Sequence, residues 1–157
     1  TGESTLTGGR IKKVEPYIEE ETFMVTYGDG VSDIDIPRLL AHHREMGKLA
    51  TVTGVRPMTR FGELDVEDGL VKEFREKPQV QAGLINGGFF VFEQGVFDYL
   101  SEDVSLEKEP LENLARDGQL AIYRHDGFWH CMDPYRDMEN LNKLWDSGRA
   151  PWKKKNL

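Results

Sequence analysis

The chain has 157 residues, of which 38% are hydrophobic and 31% charged, and its net charge is −8. That length holds one ordinary domain with a real core, and the balance lies outside the disordered class. The negative charge argues against a nucleic-acid partner, and no stretch approaches the roughly 20 apolar residues of a membrane-crossing helix. There is no signal-peptide pattern, and Thr1-Gly2-Glu3 is not a translation start. Cys131 is the single cysteine, so no internal disulfide forms and the default compartment is cytoplasmic. The one dense basic run, Lys153-Lys154-Lys155, reads as a solvated tail.

Along the chain, Thr7-Gly8-Gly9-Arg10 opens a short helix with Ile11, Val14 and Ile18 on its apolar face. Thr22 to Tyr27 reads as a buried strand that stops at Gly28, which puts Gly28-Asp29-Gly30 in a turn at a strand's carboxyl end. Open α/β sheets place ligands there. Asp35 caps the next helix, with Pro37 in its first turn, Leu39, Leu40, His43 and Met46 inward, and Gly47 as its stop. Leu49 to Val55 is β-rich, so strand, helix and strand follow in the order of a parallel, doubly wound unit.

The middle of the chain reads differently. Phe61 to Val66 and Leu70 to Phe74 flank Glu67-Asp68-Gly69, a hairpin signal. Leu84 to Phe92 is a strand broken by Gly87 and Gly88, a pattern of bulges or of close backbone approach. Helices are expected over Val96 to Leu100 and over Leu106 to Ala115, the latter ended by Gly118. Short strands are expected at Gln119 to Tyr123 and Phe128 to Met132. A last helix has Met138, Leu141 and Leu144 inward and Gly148 as terminator. The fold class is α/β with a mixed sheet.

Acids at strand ends are the first candidates for chemistry. Asp29 could ligate a divalent cation, since Mg²⁺ takes carboxylate oxygens, or it could simply favour the turn. Asp133 could ligate likewise, although local context favours a helix cap. Glu76-Lys77-Pro78 could hold a sugar phosphate, Lys77 as a point charge and Glu76 on hydroxyls, but a charged turn closed by proline is the more common meaning. The four histidines lack metal-ligand spacing and read as surface and core-edge residues. In its apolar context Cys131 reads as a buried structural thiol. No Gly-x-Ser-x-Gly, Walker lysine loop or Gly-x-Gly-x-x-Gly is present.

Taken in order, five segments resemble the sugar-phosphate nucleotidylyltransferase family. They are Tyr27-Gly28-Asp29-Gly30, Arg60-Phe61-Gly62, Phe74-Arg75-Glu76-Lys77-Pro78, Ile85-Asn86-Gly87-Gly88-Phe89-Phe90 and Phe128-Trp129-His130-Cys131-Met132-Asp133. Thr1-Gly2 with Thr7-Gly8-Gly9-Arg10, the run from Gly28 to Asp33, and Ala150-Pro151-Trp152-Lys153 narrow the likeness to the cytidylyltransferases that act on glucose 1-phosphate. The resemblance implies a Rossmann-like nucleotide-diphospho-sugar transferase fold. It also implies CTP and glucose 1-phosphate as substrates, Mg²⁺ as cofactor, and a homo-oligomer. By the same resemblance Asp29 and Asp133 are the metal ligands, and Lys77 joins them as the catalytic holder of the sugar phosphate. Glu76, Gly62 and Asn86 become sugar contacts, and Gly9 and Arg10 nucleotide contacts.

Two departures accompany the likeness. The family's amino-terminal strand and its Gly-x-Gly-Thr-Arg-Leu loop do not occur here, so residues 1–157 are expected to be the carboxy-terminal part of one nucleotidylyltransferase domain. His130 and Cys131 stand where the family leads one to expect other residues. Three competing readings stay open: a pyrophosphorylase using another base, a non-catalytic sugar-phosphate-binding or assembly subunit, and a chain that is not a stable domain alone.

Overall fold

The computed structural model describes residues 1–57, 63–75, 83–133 and 135–153, with backbone alone at 63–65, 74 and 75. The chain forms two compact units. One comprises Thr1–Tyr27, Asp35–Thr53 and Gly88–Tyr123, and the other Gly28–Ile34, Gly54–Gly87 and Arg124–Leu157. The elements in order are α1 (Thr7–Val14), β1 (Thr22–Thr26), β2 (Gly30–Ser32), α2 (Ile36–Met46), β3 (Ala50–Val55), β4 (Glu63–Glu67), β5 (Leu70–Arg75), β6 (Ile85–Glu93), α3 (Glu109–Arg116), β7 (Leu120–His125), β8 (Trp129–Cys131) and α4 (Tyr135–Asp146). Among the described residues no helix is long and apolar enough to cross a membrane.

The first unit is built on a four-stranded sheet in the order β1-β6-β3-β7. β6 lies between β1 and β3 and runs antiparallel to β1, with Phe23 opposite Phe92 and Val25 opposite Phe90. The sheet is therefore mixed. Among the described strands β3 is almost continuously buried and β6 is buried over most of residues 87–92, whereas β1 alternates towards its end, as a half-covered strand does. The expected burial of Thr22 to Tyr27 is thus partial, and Met24 is exposed. Phe90, Phe92, Val96, Phe97, Leu106 and Leu114 form the core with Ile11 and Ala50.

Local signals set the helix ends. Asp35 accepts from the backbone N–H of Arg38 at 3.0 Å, Pro37 sits in the first turn, and Gly47 ends α2 in the left-handed region at φ 56°. Leu39 and His43 point inward, while Met46 is exposed. His43 is buried with both ring nitrogens engaged, at 2.8 Å from Thr51 Oγ1 and 2.9 Å from Glu93 Oε1, so it fastens α2 to β3 and β6. α3 begins at Glu109 rather than Leu106, with Pro110 in its first turn, where the missing N–H of proline leaves no helical bond unmade. The segment expected as a helix over Val96 to Leu100 is a 3-10 helix, Gln94–Tyr99. α3 and α4 both close with paired bonds around a left-handed glycine. Gly118 and Gln119 donate to Ala115 and Leu114, and Gly148 and Arg149 donate to Trp145 and Leu144.

In the second unit β4 and β5 form the expected hairpin, with Asp68 at φ 50° and Gly69 at φ 77° in its turn. β2 and β8 form a separate antiparallel ribbon.

Gly88 supports the end of β1. Its φ is 74°, its carbonyl accepts from Tyr27 N–H at 2.9 Å, and a Cβ there would stand 2.7 Å from the Tyr27 ring. Gly88→Ala should destabilise the protein by about 2–4 kcal/mol, from left-handed strain plus overpacking. Chemical denaturation measures it, and a loss under about 1 kcal/mol would contradict the packing described.

Candidate metal centre

The β2–β8 ribbon builds the candidate site. Gly30 pairs with Cys131, Val31 with His130 and Ser32 with Trp129. At one end Met132 N–H donates to the Asp29 carbonyl at 2.8 Å. At the other, Ser32 Oγ donates to the Phe128 carbonyl at 2.7 Å and Asp33 N–H to the same oxygen at 3.2 Å. Asp29 and Asp133 flank the same end of this ribbon, where one ligand atom each from Asp29, Cys131 and Asp133 lies within 4.8 Å of the others.

Two further groups hold the ribbon in register. Trp129 Nε1 donates to the Gly87 carbonyl at 2.8 Å, tying β8 to the start of β6 beside Asn86, which is exposed. His125 Nε2 lies 2.9 Å from Asp33 Oδ1, and a Cβ at Gly127 would stand 2.6 Å from that same oxygen. A side chain at Gly127 would thus have to displace the Asp33–His125 pair. Nothing described lies within 4 Å of where a Gly28 side chain would begin, so the turn carrying Asp29 is open on that side.

The donor set fits a divalent cation. Two carboxylates from separate strand ends supply hard oxygen ligands and leave positions for water and phosphate oxygens. Asp133 stands two residues before the first residue of α4, and its place beside Asp29 gives it a second meaning besides a cap. Cys131, expected as a buried structural thiol, is half-buried inside the cluster, with Sγ 3.6 Å from Asp29 Oδ2. Burial pushes its thiol above the usual cysteine range and the Asp29 and Asp133 charges add to that, while a bond from the Asp133 backbone opposes it. The sequence signal for Cys131 was its position two residues before Asp133, a spacing that puts both on one side of an extended segment.

Of the other expected site residues, Gly62, Glu76 and Lys77 lie outside the described residues. Gly9 and Arg10 belong to the first unit, in α1. Gly9 N–H donates to the Val104 carbonyl at 3.1 Å, and a side chain at Gly9 would run into the Glu102 carbonyl. Arg10 is exposed and donates to Thr1 Oγ1 at 2.9 Å and to the Glu3 carbonyl at 3.0 Å. The closing segment is anchored in the second unit, where Trp152 stacks on Phe128 at 5.2 Å. Lys153, expected in a solvated tail, lies 4.6 Å over the Trp145 ring.

Residues 6–146 match the nucleotidyl transferase family model. The chain is 50% identical over 155 residues to a Bacillus subtilis (strain 168) protein named "Probable glucose-1-phosphate cytidylyltransferase", covering 98% of this chain and 61% of that protein. It is 47% identical over 155 residues to the glucose-1-phosphate cytidylyltransferase of Salmonella typhi, again covering 98% of this chain and 60% of that one. The chain therefore spans about three fifths of the length of these relatives. The crystal structure of HddC from Yersinia pseudotuberculosis superposes with a TM-score of 0.69 at 23% identity over 92% of this chain and 64% of HddC, which shows a shared fold.

Two substitution or labelling outcomes follow. Gly9→Ala should lower stability by about 1–3 kcal/mol through overpacking against the Glu102 backbone, and an unchanged denaturation midpoint would refute that contact. Alkylation of Cys131 by iodoacetamide should rise with pH only above the ordinary thiol range, because the reactive thiolate is disfavoured. Asp29→Asn should shift that profile downward, and a profile matching a free cysteine would refute the described surroundings.

Proposed function

The chain belongs to the nucleotidyl transferase family, and from that premise we propose that it acts in cytidylyl transfer from CTP to glucose 1-phosphate, giving CDP-glucose and pyrophosphate. The observation that carries this reading is the 47–50% identity, over 98% of the chain, to proteins bearing the cytidylyltransferase name. By comparison, a Xenopus laevis mannose-1-phosphate guanyltransferase is 33% identical over 69% of the chain.

In the proposed reaction a phosphate oxygen of glucose 1-phosphate bonds to the α-phosphorus of CTP. The bond from that phosphorus to the bridging oxygen breaks, and pyrophosphate leaves. The nucleophile is already anionic at neutral pH, so positioning and charge neutralisation are the work required, and no general base is needed. Asp29 and Asp133 would hold Mg²⁺, which supplies charge stabilisation at the reacting phosphates. Lys77 would neutralise the incoming sugar phosphate, with Glu76, Gly62 and Asn86 orienting the sugar. Arg10, exposed on α1, would offer charge to the nucleotide, and Gly9 would let α1 sit close against residues 102–106.

Pyrophosphate release, measured with Mg²⁺, glucose 1-phosphate and each nucleoside triphosphate in turn, tests the proposal. Release should depend on CTP, and preference for UTP or dTTP would overturn the base assignment. Silence from folded protein that still binds glucose 1-phosphate would point instead to a binding subunit. Asp29→Asn should cut turnover at least about a hundredfold with the melting temperature retained; near-normal turnover would sink the metal-ligand role.

A further inference from the structure

We propose that the site formed by Asp29, Cys131 and Asp133 also takes thiophilic divalent cations such as Zn²⁺ or Cd²⁺, with Cys131 Sγ as a third ligand beside the two carboxylates. The inference rests on the carboxylate-pair reading above and deepens it, because it names a class of competing ion. Mg²⁺ demands oxygen ligands in near-octahedral array and gains nothing from sulfur. A thiolate selects borderline and soft ions instead.

The geometry favours such an ion. The three ligand atoms, all from the second unit, already lie within 4.8 Å of one another. Cys131 Sγ and Asp29 Oδ2 stand 3.6 Å apart. A tetrahedral zinc-type ion with ordinary metal–sulfur and metal–oxygen bonds sets its sulfur and oxygen about 3.5 Å apart, so an ion could enter between these two atoms with little movement of either. Cys131 and Asp133 are two positions apart, and the pairing of Cys131 with Gly30 fixes that segment next to the Asp29 turn. On binding, the metal–sulfur bond replaces the thiol's contact with Asp29 and the thiol proton passes to solvent. No electron transfer is involved. Such an ion would compete with Mg²⁺ for the two carboxylates.

Cys131 is the single cysteine of the sequence, so a thiolate-to-metal charge-transfer band on adding Cd²⁺ reports this residue alone. The experiment is ultraviolet absorption and calorimetric titration with Cd²⁺ and with Mn²⁺. It uses the wild-type chain, Cys131→Ser, Cys131→Ala, Asp29→Asn and Asp133→Asn, each checked by thermal melting. Wild type should show the band at one ion per chain, and Asp29→Asn should weaken it. Both cysteine variants should lose it, with Cd²⁺ affinity falling about tenfold or more while Mn²⁺ affinity changes far less. Cd²⁺ binding without the band, or equally tight in the cysteine variants, overturns the sulfur ligand and leaves the carboxylate pair standing. Binding of both ions unchanged in folded Asp29→Asn and Asp133→Asn overturns the carboxylate site itself.

Discussion

The antiparallel pairing of β2 with β8 is the constraint on which the chemistry of this chain depends. Asp29 and Cys131 are 102 positions apart in sequence, and only the pairing of two three-residue strands brings them together. A ribbon that short is marginal by itself in water. It is supported from outside its own ladder by the Trp129 bond to Gly87, the Ser32 bond to Phe128 and the contact of His125 with Asp33. Carboxylates brought so close repel one another, and a cation between them turns that repulsion into two attractions. The acidic pair has a physical reason to exist if it serves an ion.

The site and the rest of the protein divide the labour. In the first unit, glycines at 9 and 88 let backbone and ring approach where any side chain would collide. His43, Thr51 and Glu93 satisfy one another inside the sheet. The ribbon in the second unit carries the side chains that could meet charge, as phosphoryl transfer requires: fixed ligands for neutralisation, with the protein's share being orientation.

How much of this was legible follows the range of each signal. The Asp35–Pro37–Gly47 bracket, the Asp68-Gly69 hairpin and the stops at Gly118 and Gly148 act within a few residues, and each is found where its pattern put it. Asp29 and Asp133 could be named as strand-end acids, and the resemblance to known transferases gave them one purpose; that they converge came from the structure. The insertion of β6 between β1 and β3 was hidden, because strand order is set by contacts between distant segments and not by local periodicity. Met46 and Val14 kept their place in the helical repeat yet face solvent, since periodicity marks a face without saying how wide its cover is. Cys131 was misjudged for a related reason. Its neighbours in sequence are apolar, but its neighbours in space are two aspartates.

The span of the β2–β8 pairing also bears on the order in which the chain assembles. The β4–β5 hairpin joins residues a few positions apart and can form on the microsecond scale of local structure. The ribbon cannot form until a loop of about a hundred residues has closed, and contacts of that reach are entropically late. Its few bonds also place it among the parts of a native protein that open most readily. The two aspartates are therefore expected to meet near the end of folding and to separate near the beginning of unfolding, so an ion bound between them would act as a latch on the last step.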